Sequence, residues 1–290
     1  MADIKIKKRN STEIIKIKED KLTLFLYNNV LGRFLLKILT LKFISYLGGL
    51  FLSSRISMIF INGFIKKNNI NMSDYPNVRY TSFNDFFTRK IIIDARKINL
   101  DKNILISPSD AKLSVYKINN DSKFLIKNSY YDLKELINNK KAKEYINGYI
   151  CIFRLDVTDY HRYCYIDSGT KEKNNYIKGV FHTVRPIATS KYNIYKQNTR
   201  SWTVLKTDNF DDVIQVEVGA MMVGKIINHH ETYQFKKGEE KGYFKFGGST
   251  ICLLFKDNIV IIDDDIINNS KNNIETIVKY GEKIGNRLIK

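Results

Sequence analysis

The chain has 290 residues, 43% of them hydrophobic and 27% charged, enough to bury a core in one large domain or two. Lys and Arg outnumber Asp and Glu by 48 to 30. The net charge of +18 favours a polyanionic partner, whether anionic lipid, nucleic acid or an acidic protein. Three cysteines (Cys151, Cys164, Cys252) without paired spacing argue against a disulfide framework or a CxxC metal site, which suits a reducing cytoplasm. The opening residues lack the apolar core of a secretory signal.

In chain order, residues 22–65 differ from everything after them. From Leu22 to Leu39 a helical reading places Leu24, Tyr27, Leu31, Leu35 and Ile38 on one face, with Asn29, Arg33 and Lys37 on another. Two short apolar stretches follow, and the uncharged run 43–54 is well below the ~20 residues that span a bilayer. Two readings fit this amphipathic region equally: a hairpin packed on the core, or interfacial helices lying among lipid headgroups. The basic runs Lys5–Arg9 and Lys140–Lys143 read as solvated surface.

Beyond residue 75 strands become prominent. A short apolar run covers 148–155, and 213–218 alternates between Val213, Gln215, Glu217 and Ile214, Val216, Val218. The runs 249–255 and 258–263 stand two residues apart, the spacing of a tight hairpin, and 131–145 reads as helix. The expectation is an α+β protein. Amphipathic helices over 1–75 form a membrane-associating segment, and 76–290 form a domain built mainly on antiparallel β-sheet.

Standard phosphate-loop, dinucleotide, zincin and nucleophile-elbow patterns are absent. Asp263–Asp265 reads as a solvated strand end and His229–His230 as a polar loop. The segment 237–250 is more informative, because Gly247 and Gly248 directly precede Ser249 at the start of an apolar strand. Glycine admits backbone shapes closed to other residues, and a hydroxyl beside such a bond can attack the preceding carbonyl when a base is supplied. A glycine bulge entering a strand explains the same residues.

Taken together, five ordered segments resemble the phosphatidylserine decarboxylase family: Phe86–Arg89 (FFxR), Ser107–Asp110 (SPxDG), Tyr160–Arg162 (YHRxH), Val218–Gly224 (VGAxxVG) and Lys237–Ser249 (KGxExGxF then GGS). The likeness runs from about residue 80 to 285. It implies a proenzyme that cuts itself between Gly248 and Ser249 and converts Ser249 into a covalent pyruvoyl group. That group then serves as electron sink for decarboxylating phosphatidylserine to phosphatidylethanolamine. It further implies Asp110 as the aspartate that orients the base, and His161 as a substrate-contacting proton carrier. A homodimer is expected on the same ground.

The chain departs from the family at Cys164, where the histidine that activates the serine would stand. A neutral thiol does that work poorly, so His182, in GVFHTVRP, is the expected source of the imidazole. Arg200 is a candidate contact for the lipid phosphate. The basic charge and the helices of 22–65 fit peripheral attachment to an anionic membrane surface at the cytoplasmic face of the cell membrane. An alternative keeps the fold as an uncleaved, lipid-binding pseudo-enzyme. A nucleic-acid-binding protein has no module to support it.

Overall fold

The computed structural model describes residues 4–17, 21–119, 123–126, 129–179, 198–219, 225–247 and 249–289. Its core is an 11-stranded sheet. Successive neighbours are Tyr233–Phe235, Gly169–Lys171, Arg200–Thr207, Asp212–Gly219, Ser249–Phe255, Tyr149–Leu155, Ala111–Lys117, Ile274–Val278, Ile4–Lys8 and Ile14–Ile17, with Asn175–Ile177 also pairing Arg200–Thr207. All pairings are antiparallel except Ile4–Lys8 with Ile274–Val278. Helix and sheet are both extensive, so the protein is α+β.

The apolar strand Ser249–Phe255 runs through the middle of this sheet. Ser249 lies opposite Gly219 on one side and Leu155 on the other; Thr250 lies opposite Val218 and Arg154. Side chains alternate along a strand, so Ser249, Ile251 and Leu253 share one face, and Thr250, Cys252 and Leu254 the other. Both faces are covered. Phe153, Ile251 and Leu253 join one core cluster, Ile152, Val216 and Cys252 a second. On the Ser249 side a small sheet of Ile226–Asn228, Glu240–Phe244 and Arg162–Cys164 accompanies the first cluster.

Several sequence expectations change here. The runs 249–255 and 258–263 form no hairpin: Val260–Ile262 leaves the main sheet and pairs with Lys283–Arg287. The polar members of the 213–218 alternation are buried along with the apolar ones. Glu217 and Gln215 are fully buried, and Glu217 accepts from Lys241 at 2.5 Å, a pair with no solvent exposure on either side chain. Residues 131–145 break into a helix over Leu133–Ile137 and a 3-10 turn over Lys140–Tyr145, because Asn138 between them is left-handed.

The N-terminal segment opens as strands rather than helix, with Ile4 and Ile6 buried against the main sheet. Arg9 binds Asp263 at 2.8 Å and Asp265 at 2.9 Å, so this basic residue and those acidic ones are partners rather than solvated surface. Helices follow at Lys21–Asn28 (α1), Val30–Leu39 (α2), Lys42–Leu52 (α3) and Ile61–Asn68 (α4). The single helix expected over 22–39 is broken by a 100° bend at Asn29, whose side chain caps α2 by accepting from the Leu31 N–H. Leu26, Tyr27 and Leu36 are buried while Leu31, Leu35 and Ile38 are exposed. Among the described residues no single helix is long and apolar enough to cross a membrane.

Helix α5 (Phe83–Phe87) ties this region to the core. Its residue Asn84 donates to Ser53 Oγ at 2.9 Å, and the Phe83 N–H donates to Ser57 Oγ at 2.8 Å. Phe83, Phe86 and Phe87 pack with Leu52 and Ile61 in a third cluster.

Candidate active site

Ser249 is fully buried at the head of the central strand, and its Oγ lies 3.2 Å from His161 Nδ1. The other ring nitrogen, Nε2, is 2.8 Å from the carbonyl oxygen of Asp156. A carbonyl only accepts, so Nε2 carries the hydrogen and Nδ1 turns its lone pair to the serine hydroxyl. The His161 imidazole is thus held in the tautomer that accepts a proton. Burial, helped by the positive charges of Arg89 and Lys112, lowers its pKa to about 3 against the opposing pull of the Asp156 carbonyl. The ring stays neutral at physiological pH.

The turn carrying that carbonyl is tightly fixed. The Asp156 carbonyl also accepts from the Asp159 N–H at 2.9 Å, and the Asp159 carboxylate accepts from the Asp156 N–H at 2.7 Å. Lys112 holds the Asp159 carboxylate at 2.6 Å, and Arg154 pairs with both the Asp156 carboxylate and Glu275. These ion pairs grip the turn that offers its carbonyl to His161.

The motif segments converge on this pair. Phe87 packs on the His161 ring with centroids 4.3 Å apart, and the Phe244 N–H donates to the His161 carbonyl at 3.0 Å. Arg162 donates to the Thr88 carbonyl at 2.8 Å and pairs with Glu240 at 2.7 Å. The Phe246 N–H donates to Asn84 at 3.1 Å, anchoring the chain just before the glycines. At Gly242 a Cβ would stand 2.1 Å from the Ile227 carbonyl oxygen, so only glycine lets these strands approach. Gly247 has φ of +134°, a conformation that favours glycine two residues before Ser249.

The expected site residues fare differently. Ser249 and His161 are brought together, and His161 is the imidazole beside the serine among the described residues. With cysteine at 164, the hydroxyl still has an accepting ring nitrogen within reach. His182 and Gly248 lie outside the described residues, as do 220–224 of the VGAxxVG segment. Asp110 makes its hydrogen bonds away from His161 among the described residues. Its carboxylate receives Arg96 at 2.7 and 3.1 Å, Lys279 at 3.2 Å and the Tyr280 N–H at 2.8 Å. Burial pushes its pKa up, but these donors outweigh that and hold it below the usual carboxylate range. It is a fixed anion that clasps 96, 110 and 280 together.

Cys164 is buried with its thiol pushed up to about 12 by desolvation, its Sγ 3.9 Å from the Ser107 carbonyl. Arg200 lies opposite Val218, which lies opposite Thr250, and so projects from the face away from Ser249. Its donors go to the carbonyls of Leu136 at 2.6 Å, Glu135 at 2.8 Å and Asn198 at 2.9 Å. Sequence reading gave no role to Asp156, Asp159 or Arg96. The only available signal was the Asp-x-x-Asp spacing before the histidine, which suits a self-capping turn.

A buried serine hydroxyl paired with an oriented imidazole, two residues after a glycine of positive φ, is the arrangement of a nucleophilic serine site. The phosphatidylserine decarboxylase family model matches residues 83–286, a span holding every residue of this constellation. The chain is 51% identical over 263 residues to phosphatidylserine decarboxylase proenzyme 2 of Clostridium acetobutylicum, covering 90% of each. It is 43% identical over 288 residues to the phosphatidylserine decarboxylase proenzyme of Clostridium tetani, covering 97% of each. A Clostridium botulinum proenzyme of the same name is 44% identical over 288 residues, 97% of this chain and 98% of that one. The chain belongs to the phosphatidylserine decarboxylase family of carboxy-lyases.

Proposed function

We propose that this protein is made as a proenzyme, cuts itself between Gly248 and Ser249, and then decarboxylates phosphatidylserine to phosphatidylethanolamine. The contact of 3.2 Å between Ser249 Oγ and His161 Nδ1 carries the reading. His161 takes the hydroxyl proton as Oγ attacks the Gly248 carbonyl carbon, and returns it to the Ser249 nitrogen as the C–N bond breaks, leaving an ester. Loss of the Ser249 α-proton then expels Gly248 as a carboxylate and leaves dehydroalanine. Water enters and ammonia leaves, giving a pyruvoyl group on the chain 249–290.

The site fits that group. Ser249 is the residue converted, it heads a central strand, and it is fully buried beside an imidazole. The pyruvoyl group supplies the electron sink for loss of CO2. His161, fixed by Asp156, is placed to deliver a proton to the substrate's α-carbon afterwards. Intact mass measurement tests the reading: it expects two chains, 1–248 and 249–290, the smaller beginning with pyruvoyl. A single 33.9 kDa chain lacking activity would refute it, as would a Ser249→Ala protein still cut at this bond.

The helices over 21–68, amphipathic by sequence, are proposed as the docking surface for an anionic membrane at the cytoplasmic face. Val30, Phe34, Phe43, Tyr46, Ile56 and Ile59 are each more than 60% exposed, which a water-facing surface rarely sustains in one stretch. Arg33 and Lys37 lie among them to meet phosphate. Flotation with phosphatidylserine vesicles, lost on changing Phe34 and Phe43 to Ser, tests it. A homodimer is proposed from family resemblance, and a solution mass near 33.9 kDa for the uncut chain would exclude it.

A further inference from the structure

Arg89 is 4% exposed, yet no carboxylate pairs with it among the described residues. Its Nη1 reaches the Phe86 carbonyl at 3.2 Å and its Nη2 the Tyr75 hydroxyl at 3.3 Å, both long, while buried Nε has no partner. Its guanidinium otherwise lies over the Tyr75 and Phe86 rings, at 4.2 and 4.5 Å. The other guanidiniums around the site differ: Arg96, Arg154 and Arg162 each hold a carboxylate at 2.7 Å or closer. A buried cation without a counter-charge costs several kcal/mol unless something supplies one.

Its position says what that is. Arg89 follows α5 by two residues; α5 carries Phe87 onto the His161 ring and Asn84 onto α3. Phe86, over whose ring the guanidinium lies, packs with Leu52 and Ile61, while the next residue, Phe87, packs on the His161 ring. Ser249 is itself fully buried, so a lipid headgroup that reaches it arrives at His161, whose ring packs on Phe87, two residues before Arg89.

We propose that Arg89 binds the phosphodiester of the substrate and so sets the depth to which the headgroup enters. This rests on the reading of Ser249 as the reacting residue. Of the two anions on a phosphatidylserine headgroup, the carboxylate is lost during the reaction. A strong ion pair to it would stabilise the ground state more than the transition state and slow the step. The phosphodiester keeps its charge throughout, so a fixed guanidinium holds it equally before and after CO2 leaves. A charge-assisted, fork-shaped contact of this kind is lost at a cost of about 10- to 100-fold in affinity.

The test uses Arg89→Met and Arg89→Lys in the full chain. It reads self-cleavage on denaturing gels and kcat and KM on soluble dihexanoyl phosphatidylserine. It also reads inhibition by glycerophosphoethanolamine, which has the phosphodiester but no carboxylate. The expected result is normal cleavage in both variants. In Arg89→Met, KM and the inhibition constant each rise about 10- to 100-fold with kcat within a few-fold, and Arg89→Lys recovers part of the loss. Unchanged KM in a cut, folded Arg89→Met would make the residue a packing element and overturn the proposal. So would a KM rise with unaltered glycerophosphoethanolamine inhibition, since the contact would then be to the carboxylate. If Arg89→Met does not fold, Arg89→Lys decides alone: it lacks the fork, so constants equal to wild type refute the contact. A wild-type protein that never cuts or decarboxylates would defeat the functional reading instead.

Discussion

Replacing His161 by Gln removes the acceptor nitrogen that faces Ser249 while keeping most of the volume packed on Phe87. A positioned general base contributes about 10²- to 10⁴-fold. At 1.36 kcal/mol per factor of ten, the barrier to self-cleavage should rise by roughly 3–5 kcal/mol. Uncut precursor should then persist, and its conversion can be timed on denaturing gels after purification. The pH dependence adds a second reading. Folded His161 sits at about 3, below its ordinary 6.5, so the accepting form is present throughout the neutral range. Wild-type cleavage should be flat from about pH 5 to 8, with no inflection near the ordinary histidine value. The same depression works against stability in acid: below 6.5 the unfolded chain takes up a proton that the folded chain refuses until about 3. A folded His161→Gln protein that cuts at the wild-type rate would refute the assignment and return His182 to first place as the base.

Three further outcomes follow from the same geometry. Asp159→Asn breaks a buried pair with Lys112 and should cost about 3–5 kcal/mol in denaturant titrations; because the Asp156 carbonyl then loses its fixed position, cleavage of the folded fraction should slow about tenfold. Undiminished cleavage would show that the turn does not position His161. Cys164→Ala should leave cleavage within about twofold, since a thiol at about 12 is no base, and an uncut variant would contradict this. Arg200→Ala should lower stability by about 1–3 kcal/mol for each buried carbonyl it strands and leave KM unchanged; a raised KM with unchanged melting would restore it as a substrate contact.

What the sequence determined by itself was chemical identity. The ordered motifs, and Ser249 and His161 as members of one site, are legible, because residue types at a reaction centre are dictated by the chemistry. Three central strands were legible too, the alternating run 213–218 and the apolar runs 149–155 and 249–255, which have few other ways to be buried. What the tertiary structure decided was which groups meet. Arg200 was excluded from the site by register: its place opposite Val218, and Val218's opposite Thr250, puts it on the wrong face, and no local pattern encodes a pairing between distant strands. The donors that Asp110 accepts from, Arg96, Lys279 and Tyr280, come from two remote segments that no local pattern ties to it. The support for His161 came instead from a backbone carbonyl, that of Asp156. Every residue carries such a carbonyl, so sequence cannot distinguish the one that matters; only the folded turn aims it.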